Sequence, residues 1–246
     1  MWIEATTPAK HVLMIDSNLA HHFTPGASPT VIFLCGYASD MEGTKALAIE
    51  EWARANGRAF LRFDYRGCGE SPGAFEDFTL ADWRDDALAM IEAVDGPVVL
   101  AGSSMGGWVM LLAALARPER VAALVGIAAA PDFTGWGFTD DQKAEMRAQG
   151  RLVEPSAYDD SQMITTLGFW ESGEANRVMD GEIAFDGPVR LLQGQQDAEV
   201  PWERAAMLGG RLRSSDVQIL LVKDGDHRLS RPADIALILR AIEDLV

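Results

Sequence analysis

The sequence predicts an α/β protein with a mostly parallel central sheet and helices on both faces. Three observations predict it. Six short apolar runs have the length and continuity of strands covered on both sides. Helical patterns with apolar residues at a period of 3.6 lie between them. A glycine-rich turn at 102–106 joins one such strand directly to one such helix.

The elements follow in order. VIFLC (31–35) is the first strand, and a helix from about Gly43 to Asn56 follows, with Gly57 placed to stop it. AFLRFD (59–64) is the second strand. From Thr79 to Val94 the apolar positions Leu80, Trp83, Ala87, Met90, Ile91 and Val94 form one stripe, and Thr79 with Asp82 fits an N-terminal capping box. VVLAG (98–102) leads into a helix that starts at Met105 and ends before Pro118. VAALVGI (121–127), VRLLQ (189–193) and VQILLV (217–222) complete the strands, and Val200-Pro201 opens a helix after the second of these. The last helix carries Ile235, Ile238, Leu239, Ile242 and Leu245 on one side, with Pro232 in its first turn.

The alternation breaks once. Residues 131–187 hold no convincing buried strand and are rich in Gly, charge and aromatics, among them Phe133, Trp136, Phe138, Tyr158, Phe169 and Trp170. Insertions of this length in a compact domain are usually functional. The expectation is one domain over 1–246, with 131–187 as a helical cap over one end of the sheet.

Composition narrows the class. The chain has 246 residues, 48% hydrophobic and 24% charged, as in soluble globular proteins. No apolar run reaches the roughly 18 residues of a membrane span. The start, MWIEATTPAK, has neither the layout of a secretory signal nor an Arg-rich transit pattern, so a cytoplasmic location is expected. Two cysteines, Cys35 and Cys68, are too few for a disulfide scaffold or a zinc site. A net charge of -16 repels phosphate backbones, which argues against nucleic-acid partners. A monomer or homodimer is expected, and no metal or organic cofactor is required.

The chemistry centres on LAGSSMGGWVM (100–110). Gly102-Ser103-Ser104-Met105-Gly106 fits G-x-S-x-G, in which the middle serine occupies a tight strand-to-helix turn. Passing chain leaves no room for side chains two residues before and after it. Centred on Ser104, those positions are Gly102 and Gly106; centred on Ser103, they are Ala101 and Met105, and Met105 is too large. Ser104 is therefore the candidate nucleophile.

A serine hydroxyl attacks well only when a base takes its proton. In proteins with this turn the order along the chain is Ser, acid, His. Of His11, His21, His22 and His227, only His227 follows Ser104, in a polar loop after the strand 217–222. The acid is expected to be Asp197, just after the strand 189–193; Glu199 and Asp132 are its rivals. Asp226 shapes the turn beside His227. Oxyanion donors are expected from the backbone N–H groups of Met105 and of Tyr37, the latter after Cys35-Gly36. Trp136, Phe138 and Trp170 are the candidate substrate-binding residues. Arg66 and Arg228 could meet an anionic group.

These residues resemble the α/β-hydrolase fold family. DYRGCGES (64–71) is similar to a second, structural turn motif of that family. GYASDMEGTKALAIEEWA, RFDYRGCGES, GSSMGGWVMLLAALARPERVAALVGIA, DAEVPW and DHR resemble the mitochondrial acyl-protein thioesterases and acyl-glucuronide esterases within it. The resemblance runs from about residue 31 to the C-terminus and is thinnest in 131–187. Their mitochondrial presequence has no counterpart here. The resemblance implies hydrolysis of acyl thioesters or carboxylic esters, on small-molecule or acyl-protein substrates, through Ser104, Asp197 and His227. The alternatives are a C–C bond hydrolase on the same scaffold and a non-catalytic ligand-binding homologue. Epoxide and haloalkane chemistry is disfavoured, since it usually needs Asp where Ser104 stands.

Overall fold

The structure, a computed structural model, describes residues 18–155 and 162–246. Its strands are β1 (His21–Thr24), β2 (Ala27–Leu34), β3 (Arg58–Phe63), β4 (Val98–Ser103), β5 (Val121–Ile127), β6 (Arg151–Pro155), β7 (Gln162–Thr166), β8 (Val189–Gly194) and β9 (Val217–Val222). Its α-helices are α1 (Thr44–Ala55), α2 (Leu80–Glu92), α3 (Met105–Ala116), α4 (Phe133–Trp136), α5 (Asp140–Gln149), α6 (Leu167–Ala175), α7 (Glu203–Arg211) and α8 (Pro232–Glu243).

Seven strands form one sheet in the order β1-β3-β2-β4-β5-β8-β9. All neighbours are parallel except β1, which runs antiparallel to β3 at the edge. The parallel strands need crossovers, and the helices between them supply these. Helices α2 and α3 pack together, as do α1 and α8. The central strands are buried along almost their whole length, which is why they read as unbroken apolar runs. The edge strand β1 is an addition to the six expected. HHFT has no apolar run to announce it, because it pairs on one side only.

Local chemistry sets the helix ends. Thr79 Oγ1 accepts from the Asp82 N–H, and the Asp82 carboxylate accepts from the Thr79 N–H at 2.9 Å, so the capping box is complete. Helix α3, MGGWVMLLAALA, is buried over most of its length. The turn motif at 64–71 is structural here too. The Asp64 carboxylate accepts from the N–H groups of Met41 (2.7 Å) and Glu70 (2.9 Å), which ties the end of β3 to the loop after β2.

The break in the alternation lies between β5 and β8. It contains the expected helices, α4 to α6, and also a two-stranded antiparallel sheet, β6 with β7. RLVEP and QMITT are mostly open to solvent, so they lack the apolar runs of the main sheet. Helix α6 packs on α2 and on α4, which fastens this segment to the main body. Tyr158 lies outside the described residues.

The ends of the strands are level. Leu34 pairs with Gly102, Gly102 with Gly126, and Gly194 with Val222. The loops after β2, β4, β5, β8 and β9 therefore leave the sheet at one edge, where ligands of open α/β sheets bind.

Candidate active site

Ser104 stands between β4 and α3 with φ 53° and ψ −119°, a conformation that costs a non-glycine residue roughly 1–3 kcal/mol. The flanking glycines make it possible. A Cβ added to Gly102 would lie 2.4 Å from the Gly106 carbonyl oxygen, and one added to Gly106 would lie 2.1 Å from that of Leu34. Both contacts are with backbone and cannot relax by a rotamer change. We expect Gly106→Ala to destabilise the fold by about 3 kcal/mol. Its Tm would fall by roughly 5–10 °C. Thermal unfolding checks this; an unchanged Tm would contradict the close approach of β2 to α3.

His227 joins two partners. Its Nε2 lies 3.1 Å from Ser104 Oγ and its Nδ1 lies 2.8 Å from Asp197 Oδ2. Asp197 is an acceptor only, so Nδ1 carries the proton and Nε2 is left to accept from the hydroxyl. The Asp197 side chain is fully buried. Its Oδ2 also accepts from Gln193 Nε2 at 2.8 Å, and its Oδ1 from the N–H groups of Glu199 (2.9 Å) and Val200 (2.8 Å). Burial opposes the charge. The hydrogen bond and charge of His227 and the two backbone donors outweigh it, and the carboxyl sits below its ordinary value. The loops that carry the acid and the base touch at Gly194, where an added Cβ would lie 2.3 Å from the Gly225 carbonyl oxygen. Gln196 N–H donates to that same oxygen at 2.8 Å.

The arrangement can move a proton from Ser104 to the imidazole and hold the resulting cation. Donors for a developing oxyanion stand close by. Met105 N–H is at the first position of α3, where a helix offers it no internal acceptor. Tyr37 follows Gly36, and a Cβ on Gly36 would be 3.5 Å from Ser104 Cβ, so this loop runs over the serine.

The alpha/beta hydrolase family model matches residues 31–243. The chain belongs to the alpha/beta hydrolase family. It is 42% identical over 234 residues to palmitoyl-protein thioesterase ABHD10, mitochondrial, of Homo sapiens, covering 93% of this chain and 76% of that protein. The counterpart from Mus musculus is 41% identical over 235 residues, covering 93% and 79%. The solved structure of mouse alpha/beta hydrolase domain-containing protein 10 superposes with a TM-score of 0.88 at 39% identity, over 96% of this chain and 98% of that one. This chain is thus a hydrolase homologous to these thioesterases.

The other candidates in the hydrolase fall into place around Ser104. Asp132 leaves β5 in the left-handed region, φ 56°, and its carboxylate accepts from the N–H groups of Val178 and Met179 at 2.9 Å each. It holds the two ends of the insertion together. Glu199 Oε2 lies 3.5 Å from His227 Nε2, on the serine side of the ring and away from Nδ1. Asp226 Oδ1 accepts from Leu229 N–H at 2.9 Å and shapes the turn. Arg66 is engaged with Asp86 through Nε and Nη2. Cys35 and Cys68 are free and buried; burial, aided by Asp64, pushes the Cys35 thiol well up and the Cys68 thiol up to about 12. Neither is a thiolate nucleophile at neutral pH.

The aromatic residues divide. Trp136 donates from Nε1 to the Pro131 carbonyl, and Trp170 to that of Thr134, at 3.0 Å each. Their faces are covered by the guanidinium groups of Arg204 and Arg147. Phe138 instead reaches Phe133, ring to ring at 6.1 Å. Phe133 belongs to a cluster with Tyr37, Phe75, Trp83, Trp108 and Phe169 where the insertion meets the main body. Tyr37 is its centre, and its hydroxyl donates to the Ile164 carbonyl of β7 at 2.8 Å. Beside it opens a cleft of about 290 Å³ lined by Ala38, Phe75, Met163 and Ile164. A cavity of about 330 Å³ lies elsewhere, between β8, β9 and α8. Among the described residues no cluster of His, Cys, Asp or Glu could hold a metal ion, and no helix is long and apolar enough to cross a membrane.

Proposed function

We propose that this hydrolase cleaves acyl thioesters or carboxylic esters through an acyl-enzyme on Ser104. The observation that carries the reading is the single imidazole of His227 bonded to both Asp197 and Ser104. His227 takes the serine proton as Oγ attacks the acyl carbon. Asp197 holds the tautomer and the cation. The N–H groups of Tyr37 and Met105 take up the oxyanion. The imidazolium then gives its proton to the departing sulfur or oxygen as the acyl bond breaks, and water completes the cycle by the same route. The thioesterase activity in the names of the relatives supports the acyl substrate class.

The whole chain acts as one catalytic domain in this reading, with 131–187 capping the site. The acyl chain lies in the cleft beside Tyr37 and against the aromatic cluster. Phe138 borders that cluster, while Trp136 and Trp170 shape the cap. Two buried free thiols support a reducing compartment such as the cytoplasm; the relatives named above are mitochondrial.

The test is labelling with a fluorophosphonate probe, followed by a panel of short and long acyl thioesters, oxygen esters and a vinylogous diketone. The expected result is a covalent adduct on Ser104 and turnover of (thio)esters. A protein that refuses the probe and the whole panel would be a binding module, and turnover of the diketone alone would make it a C–C hydrolase.

A further inference from the structure

We propose that Glu199 sets the charge preference for the leaving group, favouring cationic over anionic ones. This rests on the acyl-transfer reading above. In that reaction the leaving atom must come within hydrogen-bond reach of His227 Nε2, about 3 Å, to receive its proton. Glu199 Oε2 is 3.5 Å from that same nitrogen. A leaving atom is therefore no more than about 7 Å from the carboxylate, whatever its direction of approach. The acyl side of the substrate is elsewhere, over Ser104 and toward Tyr37.

The carboxylate is held where it stands. The Glu199 N–H donates to Asp197 Oδ1 at 2.9 Å, so the carboxylate that orients the imidazole also orients the backbone of the second acid. The Glu199 side chain is partly exposed, which leaves it facing an arriving substrate. Other charges belong to the neighbouring loop: Lys45 donates to the Arg228 carbonyl at 2.7 Å, and Asp226 is bonded to the Leu229 N–H. Glu199 is the acid that meets the proton-delivering nitrogen. A unit charge at this range in a half-solvated site changes an encounter severalfold for each sign, so a cationic and an anionic leaving group differ by about tenfold.

Three thioesters of one acyl group test this: thiocholine (cationic), ethanethiol (neutral) and 2-mercaptoethanesulfonate (anionic). The readout is kcat/KM for each charged substrate divided by that for the neutral one. The division removes any effect of Glu199 on the imidazolium. We expect the parent to prefer thiocholine over the sulfonate by about tenfold, Glu199→Gln to bring the ratio near one, and Glu199→Lys to invert it. Lys45, Arg228 and Asp226 are unchanged in both variants, so the ratio isolates Glu199. A parent without the preference, or a ratio the same in parent and variants, overturns the inference while leaving the hydrolase reading intact. Absence of turnover on all three by the parent overturns that reading and this one with it.

Discussion

Ser104→Ala lowers turnover of an acyl thioester by about a millionfold, with no loss of folded structure. The size follows from the division of labour at the site. Without Oγ there is no acyl-enzyme, and His227 has no proton to take. What survives is whatever the oxyanion donors and substrate binding give to direct attack by water, roughly 10³–10⁴ over the uncatalysed rate. The variant keeps the Cβ, so it keeps the turn at φ 53° and the contacts of Gly102 and Gly106 that surround it. Single-turnover hydrolysis with thermal unfolding as a control is the measurement. A variant that cleaves at the parent rate would remove Ser104 from the reaction.

Asp197→Asn is expected to cost about 10⁴ in kcat, with little change in KM. The hydrogen-bond inventory forces it. Oδ1 accepts from two backbone N–H groups, Glu199 and Val200, so the amide oxygen of Asn must stay there. The amide nitrogen then takes the place of Oδ2, facing His227 Nδ1 and Gln193 Nε2. Donor would meet donor. The imidazole escapes by moving its proton to Nε2, and in that tautomer it cannot accept from Ser104. Steady-state kinetics at neutral pH checks this. A loss below tenfold would mean that Asp197 does not set the tautomer, and would return attention to Glu199.

The reach of sequence reading was uneven for physical reasons. Parallel strands such as 98–103 and 189–194 are buried on both faces, so they announce themselves as apolar runs. The edge strand 21–24 and the hairpin 151–166 carry no such run, since they are paired or covered on one side only. Ser104 was legible because crowding around it demands glycine at fixed offsets. His227 was legible from chain order. Asp132 and Glu199 stayed open as rivals of Asp197 until geometry placed the first on the backbone of 178–179 and the second at the other nitrogen. Contacts between distant segments had no signature. Nothing local to Tyr37 says that its hydroxyl reaches Ile164, 127 residues on. Periodicity also could not say which face of Trp136 or Trp170 an arginine would cover.

The backbone at residue 104 has a consequence for endurance. Glycine would sit there at ease, and any residue with a β-carbon makes the molecule less resistant to heat by a small, permanent amount. Longevity and turnover pull on this one position in opposite directions, and the protein carries the choice that shortens its own lifetime.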